Sequence, residues 1–137
     1  MLPLIEWRAR AGMQMPVVAT QLVQPPSSME AGIAGMEKLC NSLTQIDAIF
    51  CSNDILAAGT LNYCRLNGIN VPEEVAVIGF SDLAISQTTW PSLTTVHVDA
   101  KEMGRIAGGM LLQRFNGQDP DHKTVDVGFK LIERYSS

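Results

Sequence analysis

The sequence predicts an α/β fold, a parallel sheet with helices on both faces, and the stretch from Ile46 to Asp82 carries most of that prediction. Ala48 to Cys51 is a short apolar run that ends in the polar trio Ser52, Asn53 and Asp54, and an Ala/Leu-rich segment then runs until Asn67 and Gly68 stop it. Val71 and Pro72 restart the chain, Glu73 and Glu74 keep the connection in water, and Val75 to Phe80 is a second continuous apolar run ending at Ser81 and Asp82. A wholly apolar strand is buried on both faces, and strands that alternate with helices point the same way. The stretch therefore reads as a βαβ unit.

The remaining elements follow in order. Leu4 to Ala11 has helical content, with Leu4, Ile5 and Trp7 for burial and Arg8 and Arg10 for solvent. Pro16 to Leu22 is a β-branched run and predicts a strand, and Gln24 to Ser28 is a polar loop with two prolines. Ser27 or Ser28 then caps a helix to about Leu43, in which Ile33, Met36, Leu39, Cys40 and Leu43 recur at helical spacing and form an apolar face. In the central unit, Asn53 or Asp54 can cap the helix amides, and Gly68 suits the left-handed position just past a helix end. Leu83 to Pro91 is irregular. Trp90, extended before Pro91, is either an interface anchor or a residue packed on a neighbouring helix. Thr94 to Val98 alternates as a strand. Lys101 to Phe115 is helical by Met103, Ile106, Ala107, Met110 and Leu111, and its Gly104, Gly108 and Gly109 imply a closely packed neighbour. Asn116 and Gly117 end that helix, Asp119 to Lys123 is a charged turn, and Val125 to Ile132 finishes the chain as one or two strands.

Composition bounds the function classes. At 137 residues and 46% hydrophobic content the chain is one domain with enough apolar material for a core. Its net charge of −4, with no run of three Lys or Arg, offers no grip on phosphates. Cys40, Cys51 and Cys64 match no zinc or redox spacing and read as core thiols in a reducing cytoplasm. The charged start is no signal peptide, and no apolar run approaches the ~18 residues a membrane span needs. No metal site or cofactor is expected: His97 has only Asp99 at ligand spacing, and the Asp119–His122 run makes a turn before it makes a cage. No Walker loop, GxGxxG or GxSxG occurs, and neither histidine has a nucleophile and a carboxylate nearby in sequence, so an enzyme is not expected.

In open sheets of this kind, ligands sit outside the carboxyl ends of the strands, which places Ser52 to Asp54 and Ser81 to Asp82 on one edge. Spacing alone also allows a plainer reading, in which the first cluster only caps a helix and the second only makes a turn.

Four separated blocks, DAIFCSNDILAAGTL, GINVPEEVAVIGFSD, PSLTTVHVDAKEMGRIAGGMLL and LIERYSS, strongly resemble the effector-binding core of the lactose/galactose-repressor family of bacterial transcription factors, in the family's order. VDVGFKL and the polar PPSS look most like the gluconate-operon repressors. The resemblance implies one lobe of a type I periplasmic-binding-protein-like fold, so that residues 1–137 would be the C-terminal, effector-binding and dimerisation part of a longer repressor, a gene remnant or a cut piece, with a fragment favoured. The family's helix-turn-helix and first half do not precede these blocks. The resemblance assigns effector contacts to Asn53, whose amide can both donate to and accept from hydroxyls, and to Ser81, where many relatives carry an acidic residue. Ser27 stands where sugar- and purine-binding relatives place a stacking aromatic, and Asp82 completes the edge. A neutral Ser81 removes repulsion toward an anion, so the expected effector is a sugar acid such as gluconate over a neutral sugar. The expected partners are that small molecule, a second copy of the chain through the helix from Ile55 and the segment Ile85 to Trp90, and operator DNA only through a headpiece outside this chain. No membrane partner is expected, and the location is cytoplasmic. A solute-binding protein of a sugar transporter shares the fold and is the alternative, with an upstream signal peptide as its mark. In the family the helix over 100–116 packs on the lobe not present in this sequence, so its apolar face is expected either to fold back on this chain's own sheet or to pair across a dimer. With one lobe absent, weak effector affinity and no operator binding by this chain alone are expected.

Overall fold

The computed structural model describes residues 19–21, 26–120 and 122–137. The expected helix from Leu4 to Ala11 lies outside them, as does most of the expected strand from Pro16 to Leu22; residues 19–21 are described and carry no strand.

The first element, α1 (Met29–Ser42), begins where a side-chain oxygen can take an orphan amide: Ser28 Oγ accepts from the Ala31 N–H. The strand β1 (Ala48–Phe50) leads into α2 (Asp54–Leu66), capped by Asn53 Oδ1 on the Leu56 N–H and ended by Gly68 at φ +70°. Next come β2 (Ala76–Phe80), a 3-10 turn (Ala84–Gln87), β3 (Thr94–His97), α3 (Ala100–Phe115) and β4 (Lys130–Ile132). The sheet order is β1-β2-β3-β4. Ala48 pairs with Ala76 and Ile78 with Thr94 in parallel register, so the βαβ unit stands as its sequence indicates. The last strand differs. It is confined to Lys130–Ile132 and runs antiparallel, with Val96 opposite Leu131, where the chain returns from α3 to lie against β3 from the other direction.

Burial is concentrated under α2. Leu56, Ala57 and Leu61 pack on Val75, Val77, Cys51 and Leu93, and Val77 and Leu93 are sealed from solvent. Fully burying a side chain of this size contributes roughly 2 kcal/mol. The alternation of β2 sends Val77 and Gly79 into this layer and leaves Ala76, Ile78 and Phe80 half-buried on the other side. Among the described residues no helix is buried against that second face.

The contact between α1 and α2 is made by glycine. The buried positions of α1 are Gly32, Gly35 and Met36, whereas Ile33, Leu39, Cys40 and Leu43 of the expected apolar face are only half-buried. Gly32 lies against the backbone of Leu56 and Gly59, and Gly59 against that of Met29 and Gly32, so the two helices cross with backbone on backbone.

Of the two placements expected for the last helix, the first is not found. The helix α3 does not fold back on its own sheet: it has no buried residue, and Met103, Leu111, Leu112 and Phe115 are exposed. Its glycines Gly104, Gly108 and Gly109 have no atom of a described residue within 4 Å of where a side chain would begin, so close packing among the described residues is not their reason. A helix whose apolar positions gain nothing from their own sheet needs a cover from elsewhere.

Candidate functional site

The parallel strands β1, β2 and β3 end on one edge, and the polar groups gather there. Asn53 is at once a helix cap and a surface amide: its Oδ1 takes the Leu56 N–H while its Nδ2 donates to Ser27 Oγ at 2.9 Å. Ser27 and Asn53, 26 residues apart in sequence, are therefore joined at this edge. Ser52 beside them is exposed.

At the end of β2 the backbone turns through two left-handed residues, Ser81 (φ 105°) and Asp82 (φ 49°). The Ser81 hydroxyl is partly exposed and has no hydrogen-bond partner among the described residues. The Asp82 carboxylate is fully engaged. Its Oδ1 receives Arg134 Nη2 at 2.8 Å and Ser86 Oγ at 3.2 Å, and its Oδ2 meets His97 Nδ1 at 3.1 Å. Burial alone would raise this carboxyl; the hydrogen bond and charge of Arg134, with Ser86 and His97 behind them, outweigh it and hold Asp82 below the usual aspartate range. The Arg134 guanidinium is anchored in turn by Ser86 Oγ and the Leu93 carbonyl, and both partners of the ion pair are 16% exposed.

Beneath this surface lies a carboxylate that contacts no solvent. Asp54, the first residue of α2, accepts Thr95 Oγ1 on Oδ1 and the Leu83 N–H on Oδ2, both at 2.6 Å. Gly79 faces it, and a Cβ there would run into the carboxylate. The C-terminal tail completes the frame: Ser136 Oγ donates to the Val77 carbonyl and accepts the Thr94 N–H, and Arg134 N donates to Thr94 Oγ1.

The four residues expected at the effector thus lie in two groups on this edge, Ser27 with Asn53 and Ser81 with Asp82. Asp54, which the sequence places on this edge, is buried beneath it, and Thr95, His97 and Arg134 are not expected there from the sequence. Polar residues inside apolar strands, such as Thr95, were the available signal, but the carboxylates they and Arg134 meet lie 15 to 52 residues away.

The chemistry open to this arrangement is recognition of hydroxyls. A serine, a histidine and an aspartate do meet, yet Ser86 and His97 both bond to Asp82 rather than to each other, so no base activates the hydroxyl. No group of three His, Cys, Asp or Glu side chains able to hold a metal occurs among the described residues, and none of their helices is long and apolar enough to cross a membrane. Cys40, Cys51 and Cys64 are free.

Away from this edge, α2 and the 83–91 segment border an open groove of about 350 Å³ lined by residues that include Met29, Leu61, Arg65, Ile85 and Trp90, with Trp90 85% exposed.

Comparison with known proteins places these features among relatives. Residues 4–137 match the family model of the periplasmic binding protein-like domain. The chain is 35% identical over 105 residues to the HTH-type transcriptional regulator IdnR of Escherichia coli, covering 77% of this chain and 32% of that protein. It is 36% identical over 116 residues to the HTH-type transcriptional regulator GntR of Pseudomonas aeruginosa, covering 85% of this chain and 34% of that protein. The crystal structure of the transcription regulator GntR from Chromobacterium violaceum superposes with a TM-score of 0.74 at 39% identity, over 82% of this chain and 41% of that one. The chain spans about a third of the length of the curated relatives it matches.

Proposed function

Because the chain belongs to the periplasmic binding protein-like domain family, we propose that it is the effector-sensing and dimerising part of a bacterial transcriptional repressor that works in the cytoplasm. The observation that carries this reading is the gathering of Ser27, Asn53 and Ser81 at the carboxyl ends of the parallel strands, on a chain whose relatives are transcriptional regulators. The same relatives favour this reading over the solute-binding protein of a transporter, as do three free cysteines. Operator DNA is contacted through a headpiece outside this sequence, since an acidic chain without a basic stripe has no grip on phosphates.

The effector is a sugar or, more narrowly, a sugar acid of the gluconate kind. Asn53 and Ser27 supply neutral donors and acceptors for hydroxyls, and Ser81 adds a hydroxyl where a carboxylate would repel an anion. Asp82 supports the same choice, because Arg134 neutralises its charge at 2.8 Å. Thermal-shift titrations of this chain with D-gluconate and with D-glucose test the reading. A larger shift with the acid is expected, and shifts with the neutral sugar but none with the acid overturn it.

The chain pairs with a second copy through α2 and the segment Ile85 to Trp90, where the groove around Leu61, Ile85 and Trp90 leaves apolar surface in water. Sedimentation at micromolar concentration is expected to give a dimer that Trp90→Ala weakens. A monomer at that concentration refutes the pairing.

A further inference from the structure

The turn after β2 holds the only non-glycine residues with left-handed backbone among those described, Ser81 and Asp82. At φ 105° Ser81 lies well outside the narrow left-handed well that a side chain tolerates near φ ~60°. Glycine would sit there without strain. A strained residue persists only where its surroundings over-determine it, and here they do so through three consecutive backbone amides. The Ser81 N–H donates to the Val96 carbonyl of β3 at 2.8 Å, the Asp82 N–H to Thr95 Oγ1 at 3.3 Å, and the Leu83 N–H to Asp54 Oδ2 at 2.6 Å. Thr95 Oγ1 donates its own proton to Asp54 Oδ1, so the buried carboxylate and the hydroxyl act as one clamp. Gly79 clears the space for it. What the clamp exposes is the Ser81 hydroxyl, a polar group on this edge that no described residue occupies.

We propose that Asp54 and Thr95 are positioning residues of the effector edge, holding Ser81 in a left-handed conformation that keeps its hydroxyl free for the ligand. The proposal rests on the reading of Ser81 as an effector contact and adds the residues that place it. The two halves of the clamp touch the turn through backbone amides only, so neither needs to touch the ligand. The chain keeps a serine where glycine would be easier for the backbone, which makes the strain a cost carried for the hydroxyl.

A double-mutant cycle between Ser81→Gly and Thr95→Val in this chain, read as Tm, tests the clamp. Ser81→Gly alone is expected to raise Tm by about 3 °C as the strain is released. Thr95→Val is expected to lower it in the parent and to lower it by less than half as much in the Ser81→Gly background, because a glycine does not need to be held. Thr95→Ser, which keeps the hydroxyl, is expected to restore most of the parent Tm. Additive shifts, or a fall in Tm with Ser81→Gly, overturn the clamp. Titration with D-gluconate reads the purpose of the strain: Ser81→Gly and Thr95→Val are expected to weaken binding about fivefold and Thr95→Ser to leave it within about twofold of the parent. Unchanged affinity in Ser81→Gly overturns the role assigned to its hydroxyl. If the parent chain binds D-glucose and not D-gluconate, the sugar-acid reading falls, and the coupling in Tm still decides for or against the clamp.

Discussion

Replacing Gly59 by alanine tests the crossing of α1 and α2. The added methyl would collide with the Met29 carbonyl oxygen and would stand 2.9 Å from its carbonyl carbon and 3.0 Å from the Gly32 Cα. All three are backbone atoms, so no side chain can swing away. Ordinary contact at about 3.5–4.0 Å is regained only if α1 withdraws by about 1 Å at the crossing, which loosens the seat of Met36 as well. Overpacking of this kind costs about 1–3 kcal/mol, and the better helix propensity of alanine returns up to about 1 kcal/mol. Gly59→Ala is therefore expected to destabilise by about 1–2 kcal/mol, a fall in Tm of about 3–8 °C. Gly108→Ala in α3 is the control: the same substitution meets nothing within 4 Å and is expected to stabilise by about 0.5–1 kcal/mol. Urea unfolding followed by far-UV circular dichroism measures both, with the midpoint moving in opposite directions at constant m-value. Gly59→Ala at or above parent stability refutes the backbone contact.

Three further outcomes follow from the polar frame and the core. Arg134→Ala strips the cation from a carboxylate that is only 16% exposed and is expected to cost about 2 kcal/mol by thermal unfolding, with no loss if the ion pair is ornamental. Asp82 is held below the ordinary aspartate range, so its contribution to stability is complete above that range and is lost as pH falls through the lower folded value; Arg134→Ala is expected to flatten this acid limb in a Tm-versus-pH series, and parallel curves refute it. Burial pushes the thiols of Cys51 and Cys64 up to about 11, whereas Cys40 is half-buried on α1, so a thiol reagent at mild alkaline pH is expected to modify Cys40 first and the other two only on unfolding. Rapid reaction of all three in the folded chain contradicts the core described.

Much of the fold was legible because its signals are local. The apolar run of Ala48 to Cys51, the stop at Asn67 and Gly68, and the second run to Phe80 are short-range statements about burial and backbone freedom, and β1, α2 and β2 follow them closely. The caps at Ser28 and Asn53 were readable for the same reason, since a cap is a contact between residues three apart. The α1 face was misjudged because apolar periodicity marks where large side chains recur. Gly32 is buried by close approach instead, which hydrophobicity does not register. The glycines of α3 meet no close neighbour among the described residues, and the sequence alone does not say which surface they would pack on.

The linear chain was enough to place Asn53, Ser81 and Asp82 near one edge, because parallel strands bring their carboxyl ends together whatever the details of packing, whereas only the family resemblance put Ser27 with them. It could not distribute their roles. That Asp82 is occupied by Arg134 and His97 while the Ser81 hydroxyl stays free depends on a C-terminal tail returning 52 residues later, and that Asp54 is a buried clamp depends on β3 delivering Thr95 across a gap of 41 residues. Nor could it orient β4 or seat α3, because both depend on long-range packing that no local run encodes. Hydrophobic runs and turn residues act over a few positions, whereas charge pairing and close approach act over ångströms between residues that only the folded chain makes neighbours.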